Sequence, residues 1–292
     1  MVKLFHISIY SMKVGLHVSI AGSIDKAVDN AIELKCSAFQ IFTRNPRTWT
    51  FKDLLTEDIQ SFKKKLITSK IDQYATCAHM PYLPNLSSPK KDIYKKSLDT
   101  FVNEVKRCGL LDLSYLVIHL GSHLGEGTEV GIKNLVNACN IVVEKVNNNV
   151  TILLENTAGT KNSIGSRFEE LKQILEQLES RKRFGICLDT CHAFAAGYDL
   201  RDKDVVDDMI ASFDRYIGMK ELHVVHVNDS KGDINCNTDR HEHIGMGYIG
   251  DKGFRAILAN NEIRKRLLIL ETPIDNRRDD VGNLEKVREL AS

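Results

Sequence analysis

Net charge is almost missing from this 292-residue chain, in which 40 Lys and Arg stand against 39 Asp and Glu. No overall field therefore draws the molecule to nucleic acid or to an anionic membrane, and any polyanion has to be met by a local site. Long apolar runs are missing too. Nothing approaches the ~20 consecutive apolar residues that span a bilayer, and the opening MVKLFHISIYSMK is interrupted by His6, which argues against a secretory signal. There is no disulfide framework: Cys36, Cys77, Cys108, Cys139, Cys187, Cys191 and Cys236 are odd in number, scattered and mostly set in apolar runs, as buried thiols of a reducing compartment are. Cys187-x-x-x-Cys191 is not a zinc-ribbon spacing either. These absences describe an intracellular protein that is neither secreted nor held in a membrane.

What is present is an alternation of short apolar runs and segments of helical period. KVGLHVS, AFQIF, YATCAHM, SYLVIHL, VTILLEN, FGICLDT, LHVVHVN and LLILET read as eight strands. Between them lie helix faces at Ile24, Ala27, Val28, Ala31 and Ile32, at Leu98, Phe101, Val102 and Val105, at Ile132, Leu135, Val136 and Cys139, at Leu171, Ile174, Leu175 and Leu178, and at Val206, Met209, Ile210 and Phe213. Eight such units in about 250 to 300 residues fit a single-domain (β/α)8 TIM barrel. A doubly wound open sheet is the main rival, but no Gly-rich phosphate fingerprint follows the first strand. The barrel is assigned to residues 13–292, with residues 1–12 a short N-terminal appendage and Met12 an alternative start.

The last polar residue of each run carries the functional signal. Strands three to eight end in His79, His119, Glu155, Asp189, His226 and Glu271. A lone His or Glu there is more often a hydrogen-bonded loop anchor than a ligand. The strand C-termini of a barrel share one rim, however, and six such residues in succession would repel and desolvate one another without cations. His192 on the loop after strand six, and Asp239 with His241 on the loop after strand seven, add to the set. Imidazole nitrogens and carboxylate oxygens are what Zn2+ accepts, with Mn2+ or Fe2+ as substitutes. Nine donors are too many for one tetrahedral ion and suit two or three.

Taken together, GLHVS, FTRNPRTW, HLGSH, LENTAG, GICLDTCHAFAAGYDLR, HVNDSKG, DRHEHIGMGYIG and LILET resemble endonuclease IV, the trinuclear-zinc apurinic/apyrimidinic endonuclease of base-excision repair. The resemblance runs in unbroken order from about Lys13 to about Thr272. It implies three Zn2+ per chain: His79, His119 and Glu155 on the first, Glu155, Asp189, His226 and Glu271 on the second, and His192, Asp239 and His241 on the third. Glu155 and Glu271 are then the metal-bound catalytic carboxylates, with a bridging hydroxide as nucleophile. The cluster would keep a net positive charge to meet a phosphodiester. The implied reaction is hydrolysis of double-stranded DNA 5′ to an abasic site, leaving a 3′-hydroxyl and a 5′-deoxyribose phosphate, with removal of blocked 3′ ends by the same site. A monomer suffices for this.

The loops after strands two and three offer Arg44, Asn45, Arg47, Trp49, Tyr82 and Leu83 for lesion recognition. In the resembled family, residues matching Arg47, Tyr82 and Leu83 enter the minor groove beside the flipped-out abasic nucleotide. Asn45 and Thr48 complete the implied DNA contacts, Thr48 standing where Gln is often found. Glu242 in place of a His, and Met246 in place of the Glu of the common GEG form, also depart from the pattern without touching the metal positions. His123 is read as a loop anchor, and His17 as a strand end that could face the rim. The basic runs FKKKL and SPKKDIYKK are read as solvated faces.

Two other classes remain open on the residues alone. Glu155, Asp189, His226 and Glu271 make the single-metal set of a barrel sugar isomerase or epimerase, which leaves the other five donors idle. A zinc-stabilised DNA-binding module without catalysis is the second, although structural zinc sites are usually closed and often Cys-rich.

Overall fold

Each of the eight apolar runs forms a short parallel strand in the computed structural model, which describes residues 12–292. They are β1 (Val14–His17), β2 (Ala38–Phe42), β3 (Thr76–His79), β4 (Tyr115–His119), β5 (Thr151–Glu155), β6 (Phe184–Asp189), β7 (Leu222–His226) and, after a two-stranded excursion, β10 (Leu267–Leu270). The sheet closes in the order β1-β10-β7-β6-β5-β4-β3-β2, so no strand edge is left unpaired. The excursion is an antiparallel pair, β8 (Asp229–Ser230) and β9 (His241–Glu242), folded over the rim.

The helices are α1 (Lys26–Glu33), α2 (Thr56–Thr68), α3 (Lys91–Leu110), α4 (Thr128–Lys145), α5 (Phe168–Glu176), α6 (Thr190–Ala195), which is wholly buried, α7 (Lys203–Tyr216), α8 (Gly250–Ala259), α9 (Asn261–Arg264) and α10 (Asp280–Leu290). Their expected apolar faces are buried or packed against the core, with one exception. Ile32 is half exposed; eight positions after Ile24, it is turned about 80° from that residue around the helix and lies at the margin of the stripe. None of the described helices is long and apolar enough to cross a membrane. Met12 packs against the core, while the rest of the expected appendage lies outside the described residues.

Two buried carboxylates shape the loops that frame the rim. Asp229 accepts backbone N–H bonds from Ser230, Gly245, Gly247, Ile249 and Gly250 at 2.8 to 3.3 Å, so the GMGYIG loop is wound around its side chain. A Cβ on Gly247 would fall 2.4 Å from the Ser230 carbonyl oxygen, which is why a glycine stands there. Beneath the loop after β2, Glu104 is paired with Arg44 at 2.9 Å, at an angle outside hydrogen-bond geometry, and accepts from the Thr43 hydroxyl at 2.7 Å. Arg107 donates to the Thr43 hydroxyl at 2.8 Å, and both Arg44 and Arg107 lie over the Phe51 ring.

Removing one partner of a buried ion pair strands the other charge. Arg44→Met is therefore expected to lower unfolding stability by about 3–5 kcal/mol in urea titration; a loss under about 1 kcal/mol would show that the pair does not hold this loop.

Candidate metal centre

Side chains alternate along a strand, so the residue that ends each strand and the one two before it point the same way. The strand-end residues thus form one layer at the C-terminal mouth, above a layer that includes Cys77, Val117, Leu153, Cys187 and Val224. Neighbouring registers put His119 beside Glu155 and Asp189 beside His226. Glu271 falls one residue past β10, where its backbone N–H donates to Asn228 Oδ1 at 2.8 Å.

Glu155 is fully buried at the middle of the set. Its Oε2 lies 3.2 Å from His79 Nε2 and 3.3 Å from His119 Nδ1, and its Oε1 lies 3.0 Å from His226 Nδ1 and 3.5 Å from His192 Nδ1. His226 Nδ1 is also 3.2 Å from Glu271 Oε2 and 3.8 Å from Asp189 Oδ2. Asp239 Oδ1 lies 3.1 Å from His192 Nε2 and 3.3 Å from His241 Nε2. All nine expected donors are brought together, in three sets whose ligand atoms lie within 4.8 Å of one another: His79, His119 and Glu155; Glu155, Asp189, His226 and Glu271; His192, Asp239 and His241.

The surrounding groups fix which nitrogen of each ring faces the cluster. His79 Nδ1 is 2.7 Å from the Met80 carbonyl, His192 Nδ1 2.9 Å from that of Asn156, and His241 Nδ1 3.0 Å from that of Glu271. In each ring Nε2 is left to the centre, and in His192 and His241 that nitrogen is buried without a hydrogen-bond partner. Such an orphan is what a divalent cation would satisfy, and the mixed nitrogen and oxygen donors fit one. Electrostatics agree. Burial opposes the Glu155 charge, yet His119, His226 and His79 hold its carboxyl well below the usual carboxylate range. Burial likewise opposes charge on His226, but Glu271, Glu155 and Asp189 push its pKa up to about 9.

Two features differ from the sequence reading. His192 sits in α6, which starts directly after β6, rather than on a loop; Asp189 caps that helix by accepting from the His192 N–H at 2.8 Å. Arg44 is buried against Glu104 and is not offered to a ligand. Cys187 and Cys191 also fall within ligand spacing of the centre, but burial and the neighbouring carboxylates push both thiols up, and Cys191 Sγ turns to the Arg240 carbonyl at 3.6 Å.

Asn45, Arg47, Thr48, Tyr82 and Leu83 lie exposed on the loops beside the mouth, and Trp49 is half-buried there. Tyr82 packs edge-on to Phe42 at 5.1 Å and donates its backbone N–H to Pro46, which ties the two loops together. His123 Nδ1 accepts from the Gly125 and Gly127 N–H groups, so it anchors its loop as expected. Glu242, where the resembled pattern has a His, makes a two-point pair with Arg277 at 2.9 and 3.0 Å.

Sequence reading missed three amides that hold the carboxylates. Asn156 Oδ1 accepts from the Asp189 N–H at 2.7 Å, Asn228 Nδ2 donates to Asp189 Oδ2 at 2.7 Å, and Gln40 Nε2 donates to Glu271 Oε1 at 2.6 Å. Gln40 and Asn156 did carry a signal, since one interrupts an apolar run and the other directly follows a strand-end glutamate.

The family model described as the xylose isomerase-like TIM barrel matches residues 28–291. The chain is 58% identical over 280 residues to the probable endonuclease 4 of Nitrosopumilus maritimus (strain SCM1), covering 96% of this chain and 100% of that one. Endonuclease IV from Thermus thermophilus, a crystal structure, matches with a TM-score of 0.83 at 32% identity over 95% of this chain and 98% of that chain. A D-tagatose 3-epimerase-like protein matches over 96% of this chain and 97% of that chain with a TM-score of 0.72 at 21% identity, a likeness of fold alone.

Groups that orient ligands typically change metal affinity by about 10–100-fold. Asn228→Ala is expected to weaken divalent-cation affinity by that order in a chelator-competition titration, and unchanged affinity would show that Asp189 and Glu271 need no such support.

Proposed function

This chain belongs to the endonuclease IV family and is a DNA endonuclease, and we propose that it hydrolyses the phosphodiester 5′ to an abasic site, leaving a 3′-hydroxyl and a 5′-deoxyribose phosphate. Clearing of blocked 3′ ends belongs to the same site, and the protein acts as a monomer. The observation that supports this reading best is the use of all nine rim donors in three overlapping sets.

We assign three Zn2+, one to each set, with Mn2+ or Fe2+ as substitutes. Ions held there supply Lewis-acid polarisation of a phosphoryl group and a lowered pKa for water. The protein's own contribution is to hold them. Glu155 presents one oxygen to His79 and His119 and the other to His226, so it joins the first two sets. Glu271 closes the cluster on the side of the open cavity, which is lined by Phe42, Tyr82 and Thr272 among others.

Recognition falls to the loop residues. Tyr82 and Leu83 adjoin the cavity and act as an apolar wedge filling the gap left by the displaced nucleotide, while Asn45, Arg47 and Thr48 contact the groove and backbone. The epimerase reading uses Glu155, Asp189, His226 and Glu271 but gives no role to His79, His119, His192, Asp239 and His241, which the same cluster holds.

Incision of a duplex carrying one tetrahydrofuran abasic analogue, by metal-replete protein in EDTA buffer without Mg2+, tests the reading. Cleavage 5′ to the analogue with a 3′-hydroxyl, abolished in Glu155→Ala, is expected; no cleavage by protein with three bound ions would sink it. Truncating both wedges, as Tyr82→Ala with Leu83→Ala, is expected to raise KM for that duplex at least ~10-fold through lost apolar burial. Metal content should stay unchanged, and an unaltered KM would remove these two residues from recognition.

A further inference from the structure

The metal centre takes up the C-terminal mouth of the barrel, and the opposite end is concave as well. Tyr115, the first residue of β4, and His223, the second of β7, reach towards each other from strands separated by β5 and β6, and their rings meet at 5.2 Å. A Cβ on Gly185, in β6, would fall 2.4 Å from the His223 ring, so the glycine leaves room for it. Two cavities of about 700 and 450 Å³ open at this end, and Tyr74, just before β3, lines both together with Tyr115. Barrel active sites lie at the other mouth, and the nine-donor cluster gives these residues no role.

The two cavities differ in chemistry. Lys13, Arg264, Lys265 and Arg266 line the larger one, and no carboxylate does. Asp72 pairs with Lys13 from outside it, and Glu262 with Lys265 and Arg266 at 2.7 and 3.2 Å. Four cations thus stand against two carboxylates, and Arg264 pairs with no described carboxylate. The smaller cavity offers uncharged hydrogen-bonding groups, among them Ser114, Asn149 and Thr151, and its one acid, Asp112, is paired with Lys63 at 2.7 Å. Between the two, Tyr74 is 69% exposed. The Tyr115 hydroxyl and the His223 ring are half-buried and make no hydrogen bond to a described residue.

We propose that this end of the barrel is a mononucleotide-binding site, with the phosphate in the larger cavity on Arg264 and Lys13, the base stacked on Tyr74, and its polar edge in the smaller cavity. Guanidinium and ammonium groups with no carboxylate among them suit a phosphate. An exposed phenol ring stacks on a base whatever its sequence identity, and both volumes lie in the range that small ligands fill. An acidic peptide would use the cations but leave the uncharged cavity beside Tyr74 idle. The site is remote from the metal positions and does not rest on the abasic-site reading.

Calorimetric titration of the metal-replete full chain with adenosine 5′-monophosphate tests this. Binding with a Kd on the order of 10–100 μM is expected, and adenosine and inorganic phosphate should each bind at least about tenfold more weakly. Tyr74→Ala and Arg264→Met should each weaken nucleotide binding about tenfold or more, while Tyr74→Phe, which keeps the ring, stays within about threefold. Incision of the tetrahydrofuran duplex should be unchanged in all three variants. Tyr74 is exposed, so its truncation leaves the core intact, and thermal unfolding checks each protein. No binding at millimolar nucleotide, inorganic phosphate binding as tightly as the nucleotide, or binding that Tyr74→Ala and Arg264→Met leave intact would each overturn the inference, the last by placing the nucleotide on the metal centre. Failure of the wild type to incise would count against the abasic-site reading alone.

Discussion

Burying Glu155 among four imidazoles and two further carboxylates is the condition on which the rest of this site depends. The carboxylate has no exposure, and its two oxygens meet His79, His119, His226 and His192 within 3.5 Å. Asp189 and Glu271 crowd the same histidines. Without cations the cluster has to share protons, which is why burial is overcome and Glu155 and Glu271 are held well below the usual carboxylate range while His226 and His241 rise to about 9. Divalent ions would replace those shared protons and turn mutual repulsion into coordination.

The fold supplies what that arrangement needs. Parallel strands bring six residues distant in sequence to one rim, and the β8–β9 excursion carries Asp239 and His241 back over it. Around them the amides of Gln40, Asn156 and Asn228 take up remaining carboxylate lone pairs or fix backbone, and three carbonyls hold ring nitrogens. Glu104 and Asp229 do comparable work for the loops. The metal positions and the loops beside the mouth are therefore anchored through separate carboxylates, so the loops can vary while the cluster stays fixed.

Much of this was legible because a barrel strand ends at the mouth, so the last polar residue of an apolar run reports directly on the site. The nine donors and the loop positions of Asn45, Arg47, Thr48, Tyr82 and Leu83 follow from that rule and from the family resemblance. What was not legible depends on partners far along the chain. Arg44 looks like any loop arginine until Glu104, on a later helix, is placed beneath it. His192 reads as loop because α6 is only six residues long and begins without a linker. Asn228 and Gln40 are ordinary amides in sequence, and only the register of neighbouring strands gives them a carboxylate to hold.

Counting the ions is the most direct test of the central claim that the rim is built for a three-site metal cluster. Elemental analysis of protein purified without chelator, referred to chain concentration, is expected to give three divalent cations per chain, chiefly zinc. One ion per chain, retained at full loading, would contradict the account and fit the single-metal arrangement of a sugar-processing barrel.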